Sequence, residues 1–333
     1  MTTINRSHLR KIRSLVQWAV FLMILYAGIS FSFFVQALER GDIPSFSRSP
    51  SIEGFMPIGA LMAFKLWITE GIFDPVHPAG LVLFIGAVSL AVVMKKSFCS
   101  WICPVGTLSE AVGTIGKTVF GKNHAIPRPV DYALRSLKYI LMFFFLNVIL
   151  IKMDPPQIAL FLNTPYWKVA DVKLLKFFTE MSLTTTVTLG VLFGVSLFYK
   201  NFWCRYLCPY GGLLGLLSML SPVKIRREET LCIQCGACTQ NCPSRIPVHT
   251  KRTIRTPECT GCLTCVSRCP AQGALDATVA GGKALRPELF AALVVVLFFG
   301  LIMMAKAAGV WYSSVSPREL MVLISSLQHL AHP

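Results

Sequence analysis

Charge is scarce in this chain, and acid scarcer still: 14% of the 333 residues are Asp, Glu, Lys or Arg, and Asp plus Glu number 16. Soluble domains carry roughly a quarter charged residues, so a soluble monomer is excluded. A mean hydropathy of +0.59 also excludes a disordered tail, which stays unfolded for want of apolar groups to bury. Isolated cysteines are lacking as well. All twelve stand in short-spaced groups, at 99, 103, 204, 208, 232, 235, 238, 242, 259, 262, 265 and 269, which argues against a disulfide framework and for metal ligation. No histidine falls inside a predicted crossing, since His8, His77, His124, His249, His329 and His332 all lie outside them; a membrane-embedded bis-histidine haem is excluded. The charge that is present is mostly positive, 32 Lys and Arg giving a net of +16. In an apolar chain that excess points to basic loops on one side of a bilayer, not to nucleic acid.

Five stretches are long and apolar enough to approach the ~20 residues a crossing needs: about 15–38, 78–94, 137–151, 183–199 and 289–308. The third is short, and its ends are expected to snorkel through Lys138 and Lys152. Run 57–73 carries Lys65 and Glu70 and breaks at Gly71, so it reads as an interfacial or re-entrant helix, because charge facing lipid is costly. Segments 1–14, 95–138 and 200–287 together hold 23 basic and six acidic residues. The positive-inside rule places them, with the N-terminus, in the cytoplasm and leaves the C-terminus outside. The first run, about 24 residues, exceeds the ~7–15 of a signal-peptide core and reads as an uncleaved anchor.

An internal repeat accompanies these runs. Phe98-Cys-Ser-Trp-Ile-Cys-Pro-Val-Gly106 and Trp203-Cys-Arg-Tyr-Leu-Cys-Pro-Tyr-Gly211 share one pattern at an offset of 105, each following an apolar run and a basic residue. A duplicated unit of two spans ending in a Cys-x3-Cys-Pro elbow is the simplest source, with both elbows on the same side of the membrane. The i, i+4 spacing predicts that Cys99 and Cys103, like Cys204 and Cys208, share one helical face. Doubled, the pairs supply four thiolates for a further Fe–S cluster, a zinc or copper ion, or dithiol chemistry; the bland alternative is packing. Pro104 and Pro209 are expected to bend the chain at each second cysteine, and Trp101 and Tyr206 to shield the site or anchor at the interface.

Segments 232–243 and 259–270 both read C-x2-C-x2-C-x3-C-P, the run of bacterial two-cluster ferredoxins, in which the fourth cysteine serves the other cluster. Cys232, Cys235, Cys238 and Cys269 are therefore expected to hold one [4Fe–4S] cluster, and Cys259, Cys262, Cys265 and Cys242 a second, with zinc knuckles as the alternative. The expected architecture is an α-helical membrane protein of about five transmembrane helices on a duplicated two-span unit, with an inserted cytoplasmic two-cluster domain. Its parts are repeats at 1–122 and 123–222, the ferredoxin-type domain at 223–286, and a last helix with a short periplasmic tail at 287–333. Weaker signals are Trp67, Glu70 and His77 as a quinone head-group site or plain interface anchors. Lys224, Arg226 and Arg227 mark the cytoplasmic boundary or meet an acidic electron partner.

The two elbows followed by a dicluster run, together with Ser51-Ile-Glu-Gly-Phe-Met-Pro-Ile and Cys242-Pro-Ser-Arg-Ile-Pro-Val, resemble the polyferredoxin-like membrane proteins of the NapH/NosR/FixG group over about residues 15–320. The resemblance implies a redox protein of the bacterial inner membrane that binds [4Fe–4S] clusters, with quinol oxidation proposed for some members. Neither the flavin-bearing periplasmic domain of the nitrous-oxide regulator type nor the exported C-terminal domain of the oxidase-assembly type is present in these residues, leaving a bare electron-transfer core as the expectation. Three functions fit: passing electrons between the quinol pool or a redox partner and the clusters, copper reduction or handling at the elbow cysteines, and non-enzymatic redox sensing. Whether the chain is itself an enzyme, as a quinol dehydrogenase-type oxidoreductase subunit, stays open. Expected partners are the bilayer, quinol and a protein donor or acceptor; nucleic acid is not among them.

Overall fold

The computed structural model describes residues 6–124, 126–280 and 282–327; His329 and His332 lie outside them. Helices dominate, and proline punctuates them. After α1 (Arg6–Glu39), α2 (Pro57–Glu70), α3 (Pro78–Met94) and α4 (Pro104–Phe120) each open on Pro, whose fixed φ suits the first helical position and whose missing N–H would have no partner there. Next come α5 (Arg128–Leu146), α6 (Pro155–Leu162), α7 (Pro165–Lys168), α8 (Ala170–Thr179), α9 (Leu183–Phe198) and α10 (Pro209–Leu217). A small antiparallel sheet follows: β1 (Lys224–Arg227), β2 (Thr253–Ile254), β3 (Leu275–Thr278) and β4 (Ala284–Leu285), in the order β2-β1-β3-β4. Ile225 lies opposite both Ile254 and Ala277, and all three are buried. The single turns α11 (Ala237–Gln240) and α12 (Thr264–Ser267) carry the cysteine loops, and α13 (Pro287–Ala307) and α14 (Pro317–Ser325) complete the chain.

Three helical segments, His8–Glu39, Pro129–Lys152 and Pro287–Ala307, are long and apolar enough to cross a membrane. A fourth candidate is the pair α8 and α9, bent by 75°, and α3 is a shorter apolar helix. Phe143, Phe144, Leu183, Val296 and Met303 lie exposed on these helices, a surface suited to lipid rather than water. The 14 residues of α2 fall short of a crossing. Its charge is dealt with internally: Lys65 Nζ donates to the carbonyl oxygens of Ile149, Leu150 and Met153 at 3.1, 3.1 and 2.5 Å, at the C-terminal end of the π-helical continuation of α5, Asn147–Lys152, where a cation is favoured. The snorkelling expectation for Lys138 is overturned. It is fully buried and both its 2.8 Å bonds go to Glu258, because the helix starts at Arg128, nine residues before the apolar run at 137–151, and Lys138 sits within it.

The chain forms two compact units. The first comprises Met1–Phe21, Ala87–Met142 and Leu192–Gly300, the second Leu22–Gly86, Phe143–Val191 and Leu301–Pro333. In the first, Ala87, Ala91 and Leu214 form a buried cluster against Phe98, Tyr210 and Leu217. Gly113 and Gly116 of α4 lie against Lys200 and Leu197; a Cβ on Gly116 would stand 1.8 Å from the Leu197 carbonyl oxygen, so this close approach requires glycine. In the second unit Phe31, Phe34, Val35 and Leu38 pack with Val169, Val172, Leu320 and Ile324.

Candidate iron–sulfur and electron-transfer site

Both elbows adopt the same irregular geometry. Phe98–Ile102 and Trp203–Leu207 are π-helical turns, closed by bonds from Cys103 N to Phe98 O (2.9 Å) and Cys208 N to Trp203 O (3.0 Å). This corrects the expectation of an α-helical face. A residue before proline is pushed out of the α region, so Cys103 and Cys208 are extended and become the N-cap residues of α4 and α10. The Cys208 sulfur accepts from Gly211 N at 3.3 Å, and Cys103 is held likewise by the Gly106 N–H. Helix N-terminal amides favour anionic sulfur. The four elbow sulfurs lie within one another's electrostatic reach. Burial pushes the thiols of Cys99 and Cys204 up to about 11 and about 12, and that of Cys103 well above its ordinary value. A bound cation is what would hold such buried groups as thiolates.

The module's eight cysteines line two cavities. Cys232, Cys235, Cys238 and Cys269 surround one, with Gln234, Gly236 and His249; Cys242, Cys259, Cys262 and Cys265 surround the other. The turns that aim them use the left-handed region at Gln234, Gly236, Gly261 and Leu263, which glycine enters without strain. The loops differ in exposure: Cys235 is exposed, whereas Cys259 and Cys265 are buried. Burial drives the Cys242 thiol up to about 12, while the Gln234 amide and the Arg227 side chain hold that of Cys232 below its usual value. Among the described residues no three His, Cys, Asp or Glu side chains converge tightly enough for a single metal ion. Four cysteines around one cavity are the donor set that a [4Fe–4S] cluster takes, so the residues lining each cavity fit that group.

The elbows grip the second cavity's loops. Ser100 Oγ donates to Thr260 O at 2.7 Å and Trp101 Nε1 to Gly261 O at 3.2 Å. From the other elbow Arg205 Nη1 donates to Ser244 O at 2.8 Å while its remaining nitrogens bind Asp131 at 2.9 Å. Trp101 and Tyr206 are therefore not interfacial anchors. Both are buried, Tyr206 being bound through its hydroxyl to Asp131, because the folded module covers the elbows that hydropathy alone leaves facing the membrane boundary. Glu258, next to Cys259, closes the contact with Lys138 and with Tyr139 (2.8 Å).

Other signals are not gathered. Trp67 and Glu70 are exposed on α2, whereas His77 is buried. His77 Nε2 donates to Trp167 O at 2.7 Å and its Nδ1 faces Glu53 at 3.4 Å, beside a 2.6 Å pair of Arg48 with Asp171. This network is drawn from three separated segments, 48–53, 77 and 167–171; of its members, His77 stands out in sequence as a candidate and Glu53 falls within the Ser-Ile-Glu-Gly stretch, but nothing in the sequence joins them. Lys224, Arg226 and Arg227 lie on β1.

The 4Fe-4S binding domain family matches twice, at residues 76–123 and 182–228, each match spanning one elbow, and the 4Fe-4S dicluster domain family matches 224–270. YccM of Escherichia coli K12, described by its name as an electron transport protein, is 43% identical over 92% of this chain and 88% of its own length. The ferredoxin-type protein NapH of Escherichia coli K12 is 25% identical over 58% of this chain and 67% of its own, and the regulatory protein NosR of Pseudomonas aeruginosa 26% over 54% and 24%. No solved structure matches significantly. With 4Fe-4S domains at both elbows and in the module, and a YccM-like sequence along nearly its whole length, the chain belongs to the NapH/NosR-type polyferredoxin family of electron-transport proteins.

Proposed function

We propose that this protein carries electrons between the membrane quinol pool and a protein partner through three [4Fe–4S] sites. Cys232, Cys235, Cys238 and Cys269 hold the first, Cys259, Cys262, Cys265 and Cys242 the second, and Cys99, Cys103, Cys204 and Cys208 a third shared by the two elbows. The observation that carries the reading is the double clamp: each elbow donates a hydrogen bond to a different segment of the second site, Ser100 and Trp101 to 260–261 and Arg205 to Ser244. When bound, such clusters supply one-electron transfer at potentials set by charge, hydrogen bonding and exposure. The chain fixes the spacing, keeps water from Cys259 and Cys265, and leaves the loop of Cys235 open to a partner.

The same reading takes five crossings, with α3 and α9 as the shorter ones, a duplicated unit ending at each elbow, and the domain division 1–122, 123–222, 223–286 and 287–333. The repeated family match and the shared π-helical elbows support duplication. The basic excess of 1–14, 95–138 and 200–287 supports a cytoplasmic N-terminus and module and a periplasmic C-terminus in a bacterial inner membrane.

The test mixes anaerobic protein in lipid nanodiscs with a short-chain quinol and follows cluster reduction by electron paramagnetic resonance. Reduction of the module signals in wild type, and its loss in Cys103→Ser with module iron retained, is the expected result. Equal reduction rates in both would take the elbows out of the route.

A further inference from the structure

Two consecutive lysines leave α3 and diverge. Lys95 and Lys96 are 1% and 4% exposed, burial that lysine rarely tolerates without a counter-charge. Lys95 has φ 60, a left-handed conformation uncommon outside glycine that points to a constraint imposed by its surroundings. Its Nζ donates to Ile254 O at 3.0 Å, its Cβ lies 3.4 Å from where a Gly261 Cβ would stand, and its charge is felt by Cys259. Lys96 turns the other way. Its Nζ and the Cys208 sulfur both stand 3.5 Å from the position of a Gly211 Cβ, and its charge is felt by Cys99 and Cys204. Glu258 also lies within its reach, but that carboxylate already pairs with Lys138. Among the described residues Lys96 Nζ has no hydrogen-bond acceptor.

We propose that Lys95 and Lys96 are positioning residues that set the reduction potentials of two different sites, Lys95 that of the Cys242, Cys259, Cys262 and Cys265 site and Lys96 that of the elbow site. The inference rests on reading these sites as clusters. A tetrathiolate cluster is anionic, which gives each buried cation its missing counter-charge. Arrival of an electron adds negative charge, so a fixed cation nearby stabilises the reduced form and raises the potential. The αL turn at Lys95 lets one two-residue step serve both sites.

The test is a potentiometric titration of anaerobic full-length protein, read by electron paramagnetic resonance, alongside iron counts. Lys96→Met should lower the elbow midpoint by at least about tenfold in the reduction equilibrium, 59 mV for one electron, leaving the module midpoints in place; Lys95→Met should do the converse. Lys96→Arg and Lys95→Arg, which keep the charge, should titrate close to wild type. Should Lys96→Met shed the elbow iron, a loaded Lys96→Arg at the wild-type midpoint supports the proposal, and an equally depleted Lys96→Arg overturns it in favour of packing. Unchanged midpoints in iron-loaded Met variants, or one variant shifting both sites alike, overturn it too. Wild type with about eight iron atoms would instead refute the elbow cluster itself, leaving Lys95→Met to decide its own site.

Discussion

The indole nitrogen of Trp101 donates a 3.2 Å hydrogen bond to the carbonyl oxygen of Gly261, joining an elbow to a cysteine loop 160 positions away. Gly261 sits at φ 63 between Cys259 and Cys262, so the bond fixes the part of the loop that aims both sulfurs. The Trp101 ring is wholly buried and tilts against Phe290 at 6.0 Å. The contact thus links packing of α13 to the geometry of the second cavity.

Trp101→Phe keeps most of the packing and removes the donor. The expected loss is about 1 kcal/mol, a typical net value for one hydrogen bond, whereas Trp101→Ala should cost about 3–5 kcal/mol for the cavity it leaves. Thermal unfolding in detergent, compared across the two variants, measures the difference.

Lys138 and Glu258 form a buried pair with side chains 0% and 10% exposed. Removing one partner strands a charge, so Lys138→Met or Glu258→Gln alone should destabilise by about 3–5 kcal/mol. The double variant should recover much of that, because two apolar or neutral groups need no counter-ion. A double-mutant cycle on the melting transition checks the recovery.

The two cysteine groups were legible because each is local: four cysteines within twelve residues announce a loop without any knowledge of the fold. The elbows were legible as a repeat, yet their conformation was not. Pattern reading assumes a 3.6 period, and the proline at 104 and 209 replaces it with a π-turn and a cap. The clamps were invisible for another reason. Ser100, Trp101 and Arg205 act on backbone carbonyls, which carry no sequence signature, and the Arg48, Glu53, His77 and Asp171 network joins residues up to 123 positions apart. Lys138 looked like a snorkelling boundary residue because Glu258, its partner, lies 120 positions downstream.

Cys262→Ser should deplete the second site and loosen the whole module, since in the proposed ligation Cys242 and Cys269 tie the two loops together. Iron per chain and resistance of the module to limited proteolysis should fall together. Iron loss with an unchanged proteolytic pattern would separate ligation from folding.

A reporter fused after His332 should be active only if it functions in the periplasm, given the basic excess assigned to the other side. Cytoplasmic activity would mean one crossing too many or too few. The 78–94 helix, at 17 residues, would be the first to re-examine.

In the proposed reading the two elbows share one cluster. The direct measurement is iron and acid-labile sulfide per chain in anaerobically purified protein, for wild type, Cys103→Ser, Cys208→Ser and the double variant. Three clusters predict about twelve iron atoms in wild type. Each single variant should fall to about eight and the double should fall no further, since ligands of one site act as a unit. About eight iron atoms in all four proteins, or stepwise additive losses, would rule out a cluster shared by the elbows.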